Sequence, residues 1–310
     1  MHQNENFPTS EVGQSSKQMI LIDTDIGDDI DDALALALAL RSPELELLGV
    51  TTVSGNTQRR AQLTAHLLSI AGHEEIPVAP GIAEPLQLRH RPSGVPQAAI
   101  LDERVVFPAV LSRCAAPEFI VQTAQAYSGH ITLVCIGPLT NIATALIAEP
   151  GLFMALQRIV MMGGSSSIPL PEWNTRSDIR AAQIVLGSGV PITMIGLNVT
   201  ARCQLRTSDI EQLQHHEGPL AQLLSRLISV WQRHRPRGHP ALPYLHDPLT
   251  IAALCRPALF AFEEIPVRAI TRGPFQGFMV PRAMKGPWVN AAVDVQVEEA
   301  RLWILQRLLT

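Results

Sequence analysis

The feature that most constrains this chain is a repeated change of hydrophobic period. From Met19 onward, short apolar runs alternate with helical patterns. Met19-Ile-Leu-Ile22 reads as the end of a buried strand, and Asp23 begins a polar turn. The stretch 33–40 alternates Ala and Leu strictly, which by period alone fits a strand. Ala and Leu are strong helix formers and neither is β-branched, so a buried helix is expected instead. Further strands are predicted over 45–53, 76–78, 131–136, 159–162, 192–197, 266–271 and 288–295. Helices are predicted over 59–71, 141–148, 179–186, 208–234 (broken near Gly218-Pro219), 248–255 and 297–309. This succession implies βαβ units, hence an α/β fold with an open, mainly parallel, Rossmann-like sheet and helices on both faces. In such sheets ligands sit beyond the carboxyl ends of the strands.

No repeat and no Gly/Ser-rich linker divides the chain, so one domain is expected over 19–310. Residues 1–18 are polar and read as a disordered tail. Residues 83–116 are Pro-rich and irregular, a long connection of the kind that often carries function. The chain is 46% hydrophobic and 17% charged over 310 residues, with a formal net charge of −4. No basic excess points to nucleic acid, which leaves a small-molecule partner. The tail has neither the basic start nor the apolar run of a signal peptide, and no apolar stretch is long enough to span a bilayer. A cytoplasmic protein is expected. Cys114, Cys135, Cys203 and Cys255 lie far apart and match neither a zinc site nor a disulfide framework.

Chemistry concentrates at Asp23-Thr-Asp25-Ile-Gly27-Asp28-Asp29-Ile-Asp31-Asp32, six carboxylates in ten residues between a strand end and a helix start. Two unit charges ~4 Å apart repel by ~4 kcal/mol at an effective dielectric near 20. A helix N-terminus repays only ~0.3–1 kcal/mol per favourable acid. One or two of these aspartates can be caps. The remainder must splay into water or share a cation. Hard carboxylate oxygens without His or Cys suit Ca²⁺ or Mg²⁺, and a flexible cage with backbone carbonyls favours Ca²⁺. The spacing is not that of an EF-hand loop.

This segment resembles the signature of the inosine-uridine-preferring nucleoside hydrolase family. Four later segments resemble it in the same order. They are Gly49-Val-Thr-Thr-Val-Ser-Gly-Asn56, Gly137-Pro-Leu-Thr140-Asn-Ile-Ala143, Met162-Gly-Gly164 with Glu172-Trp-Asn174, and His246-Asp247-Pro248-Leu249. The resemblance implies a nucleoside hydrolase fold and a Ca²⁺-dependent enzyme that splits a ribonucleoside into free base and ribose. It also implies a homo-oligomer, dimer or tetramer. Asp25 would be a metal ligand and the base for the attacking water, Asp32 a metal ligand, and Asp31 a ribose contact. Two aspartate pairs compete here, because the common pattern has two fewer residues before the pair. Asp31-Asp32 is favoured because Ala-Leu-Ala follows directly, and Asp29 stays open as a ligand.

The other positions carry structural readings as well. Asn56 follows a Gly and fits a left-handed turn, whereas the resemblance makes it a ribose contact. Thr140 fits an N-cap, and by resemblance its carbonyl binds the metal. Glu172 and Asn174 sit in a loop where both could face one side of an extended segment, and the family uses such a pair on the ribose hydroxyls. Asp247-Pro248 fits a capped helix start, and by resemblance Asp247 binds metal and sugar. An imidazole ordinarily titrates near neutrality, so His246 is expected to donate a proton to a leaving base. Arg233, His239 and Tyr244 are candidates for base contact.

Cleavage of a ribosyl C–N bond builds cationic character on the sugar, and direct water attack with no covalent intermediate is the expected route. Two alternatives remain open. One is a non-catalytic Ca²⁺- or nucleoside-binding protein on the same fold. The other is an aspartate-based phosphatase, which needs a downstream lysine; the only lysines are Lys17 and Lys285.

Overall fold

The computed structural model describes residues 17–87, 94–102, 114–235, 238 and 241–310. Among these residues nine strands form one sheet: β1 (Gln18–Thr24), β2 (Leu45–Thr52), β3 (Val78–Pro80), β4 (Ile131–Cys135), β5 (Leu156–Met162), β6 (Ile192–Ile195), β7 (Phe260–Ala269), β8 (Met279–Pro281) and β9 (Trp288–Val295). Their spatial order is β3-β2-β1-β4-β5-β6-β9-β7-β8. Seven neighbours from β3 to β9 run parallel, and β7 and β8 close the far edge antiparallel. The helices are α1 (Asp31–Leu40), α2 (Thr57–Ile70), α3 (Ala116–Ala126), α4 (Thr140–Ala148), α5 (Leu152–Ala155), α6 (Trp173–Ser177), α7 (Ile179–Leu186), α8 (Leu197–Thr200), α9 (Thr207–His215), α10 (Pro219–His234), α11 (Pro248–Cys255) and α12 (Val297–Leu308).

The apolar runs are continuous because both faces of the sheet are covered. Ile20 and Ile22 of β1 enter one core with α1, α2 and α10–α12, while Leu21 enters a second core with α3, α4 and α7. β4 and β5 divide their side chains in the same way. α1 is buried from Asp31 to Ala39, so its Ala/Leu alternation is that of a helix enclosed on all sides. Leu67 of α2 is fully buried in the first core. Its truncation to Ala is expected to cost about 2–5 kcal/mol of unfolding free energy, which a urea titration would measure.

Several boundaries differ from expectation. β1 starts at Gln18, inside the expected tail, and residues 1–16 of that tail lie outside the described residues. β1 also runs through Asp23 to Thr24, because Thr51 on the adjacent strand donates to the Asp23 carboxylate at 2.5 Å. α3 was not expected: its buried stripe is only Ala116, Ile120 and Ala124, too narrow to stand out. β7 begins six residues before the predicted 266, where Glu263-Glu264 and a bulge after Ala261 break the alternation. In the long connection only a 3₁₀ turn (Pro96–Ile100) and its ends are described; 88–93 and 103–113 lie outside. Among the described residues no disulfide forms, and Cys135 and Cys203 are buried. Among the described residues, no helix is long and apolar enough to cross a membrane.

β1 lies at the point where the strand order reverses, with β2 on one side and β4 on the other. The crevice beyond its carboxyl end is therefore the expected ligand position. Thr24, Thr52, Cys135 and Met162 end their strands on that side.

Candidate active site

The floor of the crevice is Asp23, fully buried. One carboxylate oxygen accepts from Thr51 Oγ1 (2.5 Å) and Asn141 Nδ2 (2.7 Å). Burial still pushes its pKa up to about 7. Asn141 also donates to Thr52 O and accepts from Ile82 N, which ties β1, β2 and the 81–87 loop to α4.

Above this floor the acids converge. Asp31, Asp32 and Asp247 each offer a carboxylate oxygen, and these oxygens lie within 4.8 Å of one another. All three residues are buried. Burial and the neighbouring carboxylates raise each of them well above the ordinary range, and the Asp25 charge contributes to all three. Asp25 itself is buried and raised to about 7, chiefly by burial and opposed by Arg60. Thr24 Oγ1 donates to Asp32 at 2.5 Å, and Asp247 N to Asp31 at 3.4 Å. Like charges this close and this dry are stable together when a cation is shared or protons are held. The donors are all hard oxygens, which fits a divalent ion of the Ca²⁺/Mg²⁺ type.

Of the two competing pairs, Asp31-Asp32 faces Asp247. Asp29 is exposed, and its carboxylate accepts from the adjacent Ile30 N at 2.7 Å. Asp247 does precede α11, but its side chain does not cap that helix.

The remaining expected residues are placed with more variety. Asn56 has φ −82°, not a left-handed turn; that conformation belongs to Ser54 and Gly55. Asn56 caps α2 by accepting from Arg59 N and is exposed. Thr140 is the first residue of α4, one beyond the expected cap position, and its hydroxyl donates to buried Asp178 at 2.8 Å. Glu172 and Asn174 are not in an extended loop. Glu172 caps α6, accepting from Asn174 N (2.7 Å), Thr175 N (2.9 Å) and Gly164 N (3.2 Å). Asn174 Nδ2 donates to Ile136 O at 2.9 Å, which seats it at the end of β4. Trp173 is half exposed, so it does not pack in the core.

His246 Nδ1 lies 2.8 Å from Thr200 Oγ1, and Tyr244 packs on the ring at 5.2 Å. Burial pushes the imidazole down to about 4, so it is neutral near pH 7. Arg233 is exposed in the last turn of α10. His239 lies outside the described residues.

Sequence reasoning did not single out Arg60 or Asp178. Asp178 is fully buried and accepts from Leu86 N, Thr140 Oγ1 and Ala181 N. Arg60 is fully buried and pairs with Asp28 at 2.8 Å. A signal existed: Arg60 shares the stripe of α2 with Leu63, Thr64 and Leu67, where a charged residue needs a buried partner.

A family model described as inosine-uridine preferring nucleoside hydrolase matches residues 20–303. The chain belongs to that family. This nucleoside hydrolase is 32% identical to uridine nucleosidase 1 of Arabidopsis thaliana, over 94% of the chain and 93% of the relative. It is 38% identical to the pyrimidine-specific ribonucleoside hydrolase RihA of Photobacterium profundum, over 82% and 85%. Among solved structures it resembles a purine-preferring ribonucleoside hydrolase from Gardnerella vaginalis, with a TM-score of 0.80, 27% identity and coverage of 94% and 98%. The family assignment makes the protein a hydrolase acting on N-glycosyl compounds and sets aside the phosphatase alternative.

Proposed function

We propose that this nucleoside hydrolase cleaves ribonucleosides to free base and ribose in a Ca²⁺-dependent reaction, within a single catalytic unit over 19–310. The observation that carries the reading is the buried convergence of Asp31, Asp32 and Asp247 beside Asp25 at the end of β1. Asp25, Asp32, Asp247 and the Thr140 carbonyl would hold the ion, with Asp31 alongside. When bound, Ca²⁺ supplies charge neutralisation and Lewis acidity.

The protein's own groups perform the remaining tasks. Asp25 takes the proton from the attacking water. Asp31, Asn56, Glu172, Asn174 and Asp247 grip the ribose hydroxyls. Asn174 supports this, since its Oδ1 accepts no hydrogen bond among the described residues. The surrounding carboxylates favour the cationic character that grows on the sugar. His246, held at Nδ1 by Thr200, presents Nε2–H to the departing base. The uridine and pyrimidine names of the curated relatives put uridine first among substrates.

Uridine, cytidine, inosine and adenosine should be incubated separately with the protein in phosphate-free buffer. Base and ribose are expected in equal amounts, and NMR should show α-ribose first, the inverted anomer that direct water attack produces. First formation of the β anomer would replace direct attack with a covalent route.

A further inference from the structure

The loop joining β1 to α1 runs from Asp25 to Ile30; it carries Asp25 and leads directly into Asp31 and Asp32 at the start of α1. Its backbone carbonyls are taken up in order. Arg60 Nη1 donates to Asp25 O and to Ile26 O (2.8 Å). Gln97 N donates to Gly27 O at 3.1 Å. Gln97 Nε2 donates to Asp28 O (3.3 Å) and Asp29 O (2.5 Å). Ile30 O then accepts the first helical bond of α1, from Leu34 N. Five consecutive carbonyls are thus held by two residues that lie 34 or more positions away in sequence.

Both clamping side chains are completely buried. Arg60 comes from α2 and also donates through Nε to Ser54 O (2.8 Å) and through Nη2 to Asp28 (2.8 Å). It therefore locks the turn after β2 to the loop after β1. Gln97 comes from the 3₁₀ turn of the long connection. Gly27, at φ +118°, completes the fit: a Cβ there would lie 2.3 Å from Val95 Cγ1, two residues before Gln97. A loop of this length has no internal ladder to fix it. Without donors on its outer side, its carbonyls would turn toward water and carry the carboxylates with them.

We infer that Arg60 and Gln97 are positioning residues of the hydrolase, a two-part backbone clamp that sets where Asp25, Asp31 and Asp32 stand. The inference rests on the proposed reading of those aspartates as the site. Neither residue touches the reacting atoms. Displacement of a site by about 1 Å can cost roughly 100-fold in rate, so the clamp acts on turnover more than on substrate affinity.

The test uses the full chain with Gln97→Glu, Gln97→Leu and Arg60→Lys. Glutamate keeps the shape of Gln97 and removes its two N–H donors. Lysine keeps the charge of Arg60 and loses the planar fork. Four readouts are taken: kcat and KM for uridine, calorimetric affinity for Ca²⁺, amide hydrogen exchange over 26–30, and Tm. Gln97→Glu and Gln97→Leu are expected to lower kcat about 100-fold, with KM within about 3-fold of the parent. They should weaken Ca²⁺ about 10-fold and accelerate exchange in 26–30, with Tm falling by only a few degrees in Gln97→Leu and further in Gln97→Glu, which buries a carboxyl against two carbonyls. Parent-like kcat and parent-like exchange in both Gln97 variants would overturn the clamp. Should Arg60→Lys fail to fold, the Gln97 pair still decides. Should the parent release ribose from no nucleoside, the functional reading falls, and exchange with Ca²⁺ affinity still decides the clamp.

Discussion

Asp25→Asn is expected to lower kcat on uridine by about 10²–10⁴-fold, the span that a positioned general base supplies. Asparagine matches aspartate in shape and keeps the packing, but it cannot take the proton from water. The substitution also removes one negative charge from a site where Asp25 raises the pKa of Asp31, Asp32 and Asp247. Relief of that repulsion predicts that the metal-free variant melts no lower than the metal-free parent. Loss of turnover without loss of Tm is therefore the signature. A ribose assay and a thermal melt read the two quantities separately. Parent-like turnover would remove Asp25 from the role of base.

The second large effect is expected from Asp247→Asn. Asp247 reaches the cluster from the residue just before α11, more than two hundred residues beyond Asp31 and Asp32. Removal of one of its anionic oxygens should weaken Ca²⁺ by about 100-fold, at the upper end of what outer-sphere substitutions alone cost. The weakening is visible in stability. A ligand held only by the native state at 1,000 times its Kd adds about 4 kcal/mol. At the same free Ca²⁺ the variant would sit at about 10 times its Kd and gain only about 1.4 kcal/mol. The Ca²⁺-induced rise in Tm should shrink accordingly, and calorimetry gives the Kd directly. An unchanged Ca²⁺ affinity would place the ion elsewhere.

Much of this is legible in the sequence. The strands of the parallel sheet read as apolar runs because both faces are covered, and α1 read as a helix once propensity was weighed against period. The antiparallel edge was less legible. β7 is half exposed and bulged, so its alternation breaks at Glu263-Glu264. The aspartate cluster stood out because six acids in ten residues defeat simple capping. Its internal order did not: the loop that leads into Asp31-Asp32 is bonded to Arg60 and Gln97, side chains from distant segments that the spacing of the aspartates does not announce. Glu172 was equally hidden. Glu is not among the preferred N-cap residues, so the start of α6 carried no cap signal. Asp178 and Asn141 act through buried hydrogen bonds between distant segments, visible only once the sheet brings those segments together.

The proposed role of the buried carboxylates is cation-dependent hydrolysis of a ribonucleoside. Ribose release from uridine and inosine should be followed in three samples of one preparation: untreated, treated with EDTA, and treated with EDTA then excess Ca²⁺. Release is expected in the first, loss in the second and recovery in the third. Release that continues undiminished after chelation, with the ion shown by elemental analysis to be gone, would contradict it.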